Sequence, residues 1–270
     1  MSKTKNKTDA VSPASAEKPS ESWGETLRTV FYAVLIAIGI RTFAWEPFNI
    51  PSESMLPTLQ VGDYLFVSKY AYGYSKHSFP FSMGPFSGRI FESPVKRGDV
   101  AVFKLPSDNT TDYIKRIVGL PGDKIRMANG VLVVNDAIVP KVPTESYPYH
   151  SFPYDERYGF ARNLPTFVET LPNGIKHLTY DLAPSGGNDD TGVFEVPAGH
   201  YFAMGDNRDN STDSRVPLNQ HGVGFVPAEN LVGRAEVIFF STNGSGSWWQ
   251  IWKWPSTIRW GRLFQTITEE

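Results

Sequence analysis

Two hydroxyls two positions apart, Ser52 and Ser54, stand in IPSESMLPTL, residues 50–59. Pro51 and Pro57 fix φ and discourage helix around them, so the serines fall on a stiff turn. A rigid, exposed turn is what a serine nucleophile needs, but an ordinary loop has the same composition, and a nucleophile also requires a base. Histidine is the usual one. The five histidines, His77, His150, His177, His200 and His221, lie in no triad context. Neither an HExxH nor an EF-hand spacing is present, so no metal or other cofactor is expected.

Lysine is the remaining candidate. In DYIKRIVGLPGD, residues 112–123, strand alternation places Tyr113, Lys115 and Ile117 on one face, so Lys115 points among apolar neighbours. Burial disfavours an ammonium. A lysine that works as a base near neutral pH must fall from about 10.4 by roughly three units, about 4 kcal/mol of differential interaction. The plainer reading is a strand lysine whose head reaches water along its stem. A third polar segment, AMGDNRDNSTDSR at 203–215, gathers Asp206, Asn207, Arg208, Asp209, Asn210, Ser211, Asp213 and Arg215. By itself it reads as a solvated loop, because it lacks the central glycine and terminal glutamate of a calcium loop.

These residues need a scaffold, and the composition says which kind. A chain of 270 residues at 40% hydrophobic can bury a core, and a formal charge of −2 gives no footprint for nucleic acid. The 23 Gly and 21 Pro, with abundant Tyr, Phe and Val, predict a mainly β protein. Strands are expected in DYLFVSKYAYG, GDVAVFKLP, DYIKRIVGLPGDKI, VLVVND and LVGRAEVIFF. Cysteine is absent, which removes disulfides and thiol chemistry.

Ahead of the strands, residues 1–26 form a polar tail, with no fold expected over 1–22. Residues 27–45, LRTVFYAVLIAIGIRTFAW, span roughly 28 Å as a helix, enough to cross a bilayer. Arg41 lies near the end of this segment and Trp23 and Trp45 at its edges, as interfacial residues would. Lys3, Lys5, Lys7, Lys18 and Arg28 precede the segment, while nothing basic lies between Arg41 and Lys69, so the N-terminus is expected in the cytoplasm. A β core is expected over 46–140 and 196–241, with 141–195 as an inserted subdomain. The stretch 242–270 carries five of the seven tryptophans beside Lys253, Arg259 and Arg262, a composition suited either to membrane lipid or to packing on the domain.

PSESM, YIKRIVGLPGD and GDNRDNSTDSR, in that order behind an N-terminal anchor, resemble the boxes of type I signal peptidases, as do RGDVAVFKLP and VGDYLFVSKYAYG. The resemblance covers roughly 43–72, 97–123 and 205–233. It implies a signal-peptidase-like β catalytic core and a Ser/Lys endopeptidase that cuts exported preproteins after small residues at −1 and −3. On this resemblance Ser54 is the nucleophile, Lys115 the general base and Ser52 a donor to the oxyanion. Ser211 would hydrogen-bond the Lys115 amine. Asp206, Arg116, Asp213 and Arg215 would form an ion-paired scaffold around the site. A single-pass protein of the bacterial inner membrane, with its catalytic domain in the periplasm, is implied. Some relatives carry cysteines in the inserted region and this chain has none, so 141–195 is open to a different build. Two competing readings are a specialised Ser/Lys maturation peptidase and a non-catalytic, membrane-tethered envelope protein.

Overall fold

The computed structural model describes residues 23–149, 162–182, 186–247 and 249–267. The polar tail over 1–22, His150 and Trp248 lie outside them. One helix, α1 (Trp23–Phe43), is long and apolar enough to cross a membrane. Val30, Phe31, Leu35, Ile36 and Ile40 all stay exposed on it, so its apolar surface runs round the cylinder. A helix apolar on every side belongs in lipid rather than at the edge of a globular core. It starts at Trp23 and stops at Phe43, earlier at both ends than the apolar run 27–45. Trp45 instead opens a strand, where it pairs with Ser68.

The described residues divide after Ile38 into two units. The second is built on an antiparallel sheet of β1 (Trp45–Asn49), β2 (Asp63–Ser68), β3 (Val100–Lys104), β4 (Asp112–Gly119), β5 (His200–Met204), β6 (Val226–Pro227) and β7 (Leu231–Ser241). Their spatial order is β1-β2-β7-β3-β4-β5-β6, and the short strand Gln265–Thr266 also pairs with β7. Every segment predicted as strand contributes one. The near-continuous apolar run of β3 follows from burial on both faces: Val100 and Val102 enter one core cluster with Met55 and Leu65, while Ala101 and Phe103 enter another with Ile117 and Ala203.

A second sheet holds Lys124–Ala128, Val131–Val134, Ala137–Ile138 and Phe194–Glu195, and packs Ile125, Leu132 and Val134 against Phe202. In the inserted region Lys141–Pro143, Thr166–Thr170 and Lys176–Tyr180 form a three-stranded antiparallel sheet. The C-terminal segment is fastened through the fully buried Asp63. Its carboxylate accepts from Arg262 Nη2 at 2.6 Å and from Ser241 Oγ at 2.7 Å. Trp249, Trp252, Trp254 and Trp260 nonetheless remain exposed.

In β7 the pairing with β3 shifts register between Leu231 and Gly233. A Cβ on Gly233 would stand 2.4 Å from the carbonyl oxygen of Ser68. Gly233→Ala is therefore expected to destabilise the domain by about 1–3 kcal/mol through overpacking against backbone. A lowered thermal midpoint by calorimetry, with the wild-type far-ultraviolet spectrum kept, is the outcome to check.

Candidate active site

The turn after β1, the middle of β4 and the loop leaving β5 converge on one dry point. Ile50, Met55 and Leu59 bury their side chains in the core beneath the serine turn, which holds the intervening backbone in place. Ser54 is thereby brought to 8% exposure. Lys115 lies directly across from Ala101 in the β3–β4 ladder, and Ala101 shares a cluster with Ile117 and Tyr113. Lys115 is 3% exposed, with its ammonium 5.3 Å from the centre of the Tyr113 ring.

Lys115 Nζ donates to Ser54 Oγ at 2.6 Å and to the carbonyl of Ile114 at 2.9 Å. Burial pushes the lysine down to about 8, against the opposing pull of Asp213 and Asp206. A hydroxyl is thus held against an amine that loses its proton near physiological pH. Ser52 Oγ stands 3.4 Å from Ser54 Oγ, on the solvent side of the pair.

Asn207 grips the serine turn through two peptide groups. Its backbone N–H donates to the carbonyl of Ser54 at 3.1 Å, and its Nδ2 donates to the carbonyl of Glu53 at 3.1 Å. The Glu53 carbonyl and the Ser54 N–H belong to one peptide plane, so the side chain of Asn207 also sets the direction of that N–H. Gly205 allows this close approach: a Cβ there would fall 2.2 Å from Ser211 Oγ and 2.5 Å from the Ser54 carbonyl oxygen.

Ser211 is therefore beside the site, but it does not make the hydrogen bond to Lys115 that the resemblance implied. Its Oγ lies close enough to Asp213 to help hold that carboxylate ionised, yet it completes no hydrogen bond of normal length among the described residues. The lysine is aimed by the Ile114 carbonyl instead.

The four scaffold residues form two buried ion pairs. Arg116 donates to Asp206 from Nε at 2.9 Å and Nη2 at 2.8 Å, and Thr58 Oγ1 adds a bond of 2.6 Å. Arg215 grips Asp213 through two bonds of 2.9 Å, while the Gly205 N–H donates to the same carboxylate at 3.0 Å. Burial works to raise both carboxyls, but Arg116 and Arg215 override it and hold them below the usual range.

Three further residues had no role in the sequence reading. Arg208 is buried in the loop after β5 and pairs with the fully buried Glu169 of the inserted region, at 2.7 Å from Nη1. His177, opposite Glu169 in its strand pair, stands 3.3 Å from Glu169 and 3.8 Å from Asp206. The available sign was a glutamate inside the strand pattern TFVET, and nothing in the sequence points from it to Arg208. Among the described residues, no grouping of ligating side chains occurs at the serine. The one acidic group that could hold a cation among the described residues, Asp181, Asp189 and Asp209, is a separate cluster.

The comparisons agree with one another. A family model described as "Signal peptidase, peptidase S26" matches residues 23–240. A signal peptidase I of Rickettsia typhi is 39% identical over 87% of this chain and 90% of its own length. For the signal peptidase I of Rickettsia conorii the figures are 39%, 96% and 97%, and for that of Rickettsia akari 40%, 87% and 90%. A solved signal peptidase I from Enterococcus faecalis V583 covers 53% of this chain and 97% of its own at 22% identity, with a TM-score of 0.29, too slight a likeness to bear on the fold.

Two outcomes are expected from this geometry. With substrate in hand, kcat/KM should rise with pH as Lys115 loses its proton and reach half its plateau near pH 8. Glu169→Ala should cost about 3–5 kcal/mol in urea unfolding, because it leaves Arg208 buried without its counter-charge. Activity should fall with it, since Arg208 sits in the loop that carries Asn207.

Proposed function

We propose that this serine endopeptidase, which belongs to the signal peptidase family (peptidase S26), cuts signal peptides by attack of Ser54 on the scissile carbonyl with neutral Lys115 as general base. The observation that carries the reading is the contact of 2.6 Å between Lys115 Nζ and Ser54 Oγ in a buried site.

In the reactive form Lys115 is neutral and the hydrogen bond runs from the Ser54 hydroxyl to the amine. As Oγ bonds to the carbonyl carbon, its proton passes to Nζ, and the carbonyl oxygen takes the negative charge. That oxyanion is received by the Ser54 N–H, which Asn207 holds in place, and by the Ser52 hydroxyl; losing one such donor typically costs about 10²–10³ in turnover. The ammonium then gives its proton to the leaving amine, and the amine that remains activates the water that releases the acyl group.

The substrates are exported preproteins with small residues at −1 and −3. The apolar helix and the flanking cations support the placement. Here α1 spans the bacterial inner membrane with its N-terminus in the cytoplasm, and residues after it lie on the periplasmic side, with the exposed tryptophans at the lipid surface. The Ser/Lys geometry supports a protease over a silent envelope protein, because a scaffold has no need of a desolvated lysine against a serine.

The test is cleavage of a preprotein by the detergent-solubilised full chain, with the product N-terminus mapped by mass spectrometry. Wild type should cut after a small-x-small sequence, while Ser54→Ala and Lys115→Met should each lose at least about 10³-fold. Lys115→Arg should fail as well, because a guanidinium stays charged. A Lys115→Met enzyme that still cuts would sink the mechanism.

The buried base also carries a stability signature. Its folded pKa of about 8 lies below the ordinary 10.5, so the native state gains stability as pH rises from about 8 to 10.5 and sits at its lower level below pH 8. Lys115→Met removes that burden, up to about 3 kcal/mol. The inactive variant should therefore be at least as stable as wild type at pH 7 by chemical denaturation, and the gap should narrow as pH rises.

A further inference from the structure

Residues 74–91 fold as a hairpin that the serine site does not use. Its base pairs Tyr74 with Ile90 and Ser75 with Arg89. Arg89 fastens that base to the domain, donating to the carbonyls of Tyr72 at 3.0 Å, Gly73 at 2.6 Å, and Ala228 and Leu231 both at 2.8 Å. Inside the hairpin Ser75, His77 and Ser78 are buried, and the Ser75 hydroxyl accepts from the His77 N–H while the Ser75 N–H donates to Ser78 Oγ. The Gly84 N–H donates back to the Lys76 carbonyl at 3.2 Å, so the loop between them is held at both of its ends.

The tip of this loop is apolar and bare. Phe81 is 93% exposed and Met83 75%. Phe81 and Ser82 both take positive φ, 56° and 57°, a region that a bulky side chain rarely enters. Folding therefore neither hides the Phe81 ring nor relaxes its backbone, and a strained, exposed apolar surface marks a place of contact.

Where the tip lies decides what it meets. Phe79 and Tyr74 set their rings edge-on to Phe43, the last residue of α1, at 6.0 and 5.7 Å between centroids. Tyr74 Oη also donates to the Phe43 carbonyl at 2.8 Å. Phe81 follows Phe79 by two residues, at most about 8 Å of chain, and it lines one cavity with Arg41 and Thr42. The tip thus stands beside the last turn of a helix apolar enough to cross a bilayer. Such a helix ends at the membrane surface, the level at which aromatic side chains concentrate. Charge agrees with this, because residues 74–91 carry Lys76 and Arg89 and no carboxylate, as an anionic headgroup layer favours.

We propose that Phe81 and Met83 insert into the lipid interface of the leaflet in which α1 ends. The occupant is lipid because the tip continues the surface that the helix already presents to the bilayer. This contact is separate in the chain from the C-terminal tryptophans and gives the serine domain a further point of attachment, next to the anchor. The inference rests on the reading of α1 as a membrane anchor.

The chain has no cysteine, so a single introduced one carries a nitroxide label at one known place. The experiment is power-saturation electron paramagnetic resonance of the full chain in nanodiscs of phosphatidylcholine and phosphatidylglycerol. It compares collisions of the label with oxygen, which concentrates in lipid, and with a water-soluble nickel chelate. The label on Met83→Cys should give an oxygen-to-nickel ratio at least about fivefold above that of the same label on a peptide in buffer. Adding Phe81→Asp should bring the ratio down towards the buffer value, while the variant still cleaves a soluble peptide substrate at the wild-type rate. A label as open to nickel as in buffer, or one unmoved by Phe81→Asp, overturns the proposal. A label shielded from both reagents marks contact with protein, such as a second copy of the chain, and overturns it too. The same label on Leu35→Cys tests the anchor: lipid at 35 with water at 83 overturns the tip contact alone, whereas water at both positions removes the anchor reading with it.

Discussion

A lysine amine kept out of water against a serine hydroxyl is the arrangement on which the rest of this domain depends. Burial of an ammonium is unfavourable, and that unfavourable term lowers the pKa of Lys115 to about 8, so the amine can stand neutral beside the hydroxyl. The lysine must therefore be kept out of water, and it is 3% exposed. The sheet supplies this by burying β3 on both faces and setting Ala101, a small residue, opposite Lys115.

Dryness brings a second difficulty, because two buried aspartates lie near enough to raise the lysine again. Each is engaged by its own guanidinium, Asp206 by Arg116 and Asp213 by Arg215, so most of its field is spent locally. Such pairs contribute little net stability compared with apolar packing, and breaking one is costly. Their value lies in fixing the loop that holds Asn207 and Gly205 against the serine turn. The inserted region takes part in the same task. Glu169 reaches under that loop to Arg208, and Tyr180 exchanges backbone hydrogen bonds with Asp206 and Arg208. A segment that reads in sequence as an accessory thus braces the centre.

Much was legible in the sequence. The strands declared themselves because alternation and turn residues are local properties, and the long helix because its apolar run is continuous in the sequence. Ser54 and Lys115 were visible as candidates, from prolines beside one and apolar strand neighbours beside the other, but their roles followed only by resemblance. The ion-paired partners of the 203–215 loop were visible as residue types, and their pairing followed only by resemblance. The pairing of Glu169 with Arg208 and His177 was not legible, since these partners are remote in the chain or buried and buried charge leaves no periodic trace.

The sequence by itself determined the strand segments, the long apolar helix and the types of side chain available to the site, because these depend on neighbours within a few residues. Tertiary structure alone decided that Lys115 meets Ser54 across 61 positions, that Ile114 rather than Ser211 aims the amine, and that Phe81 and Arg41 line one cavity. Those outcomes depend on which surfaces exclude water together, and exclusion of water is a property of packed segments rather than of any one of them.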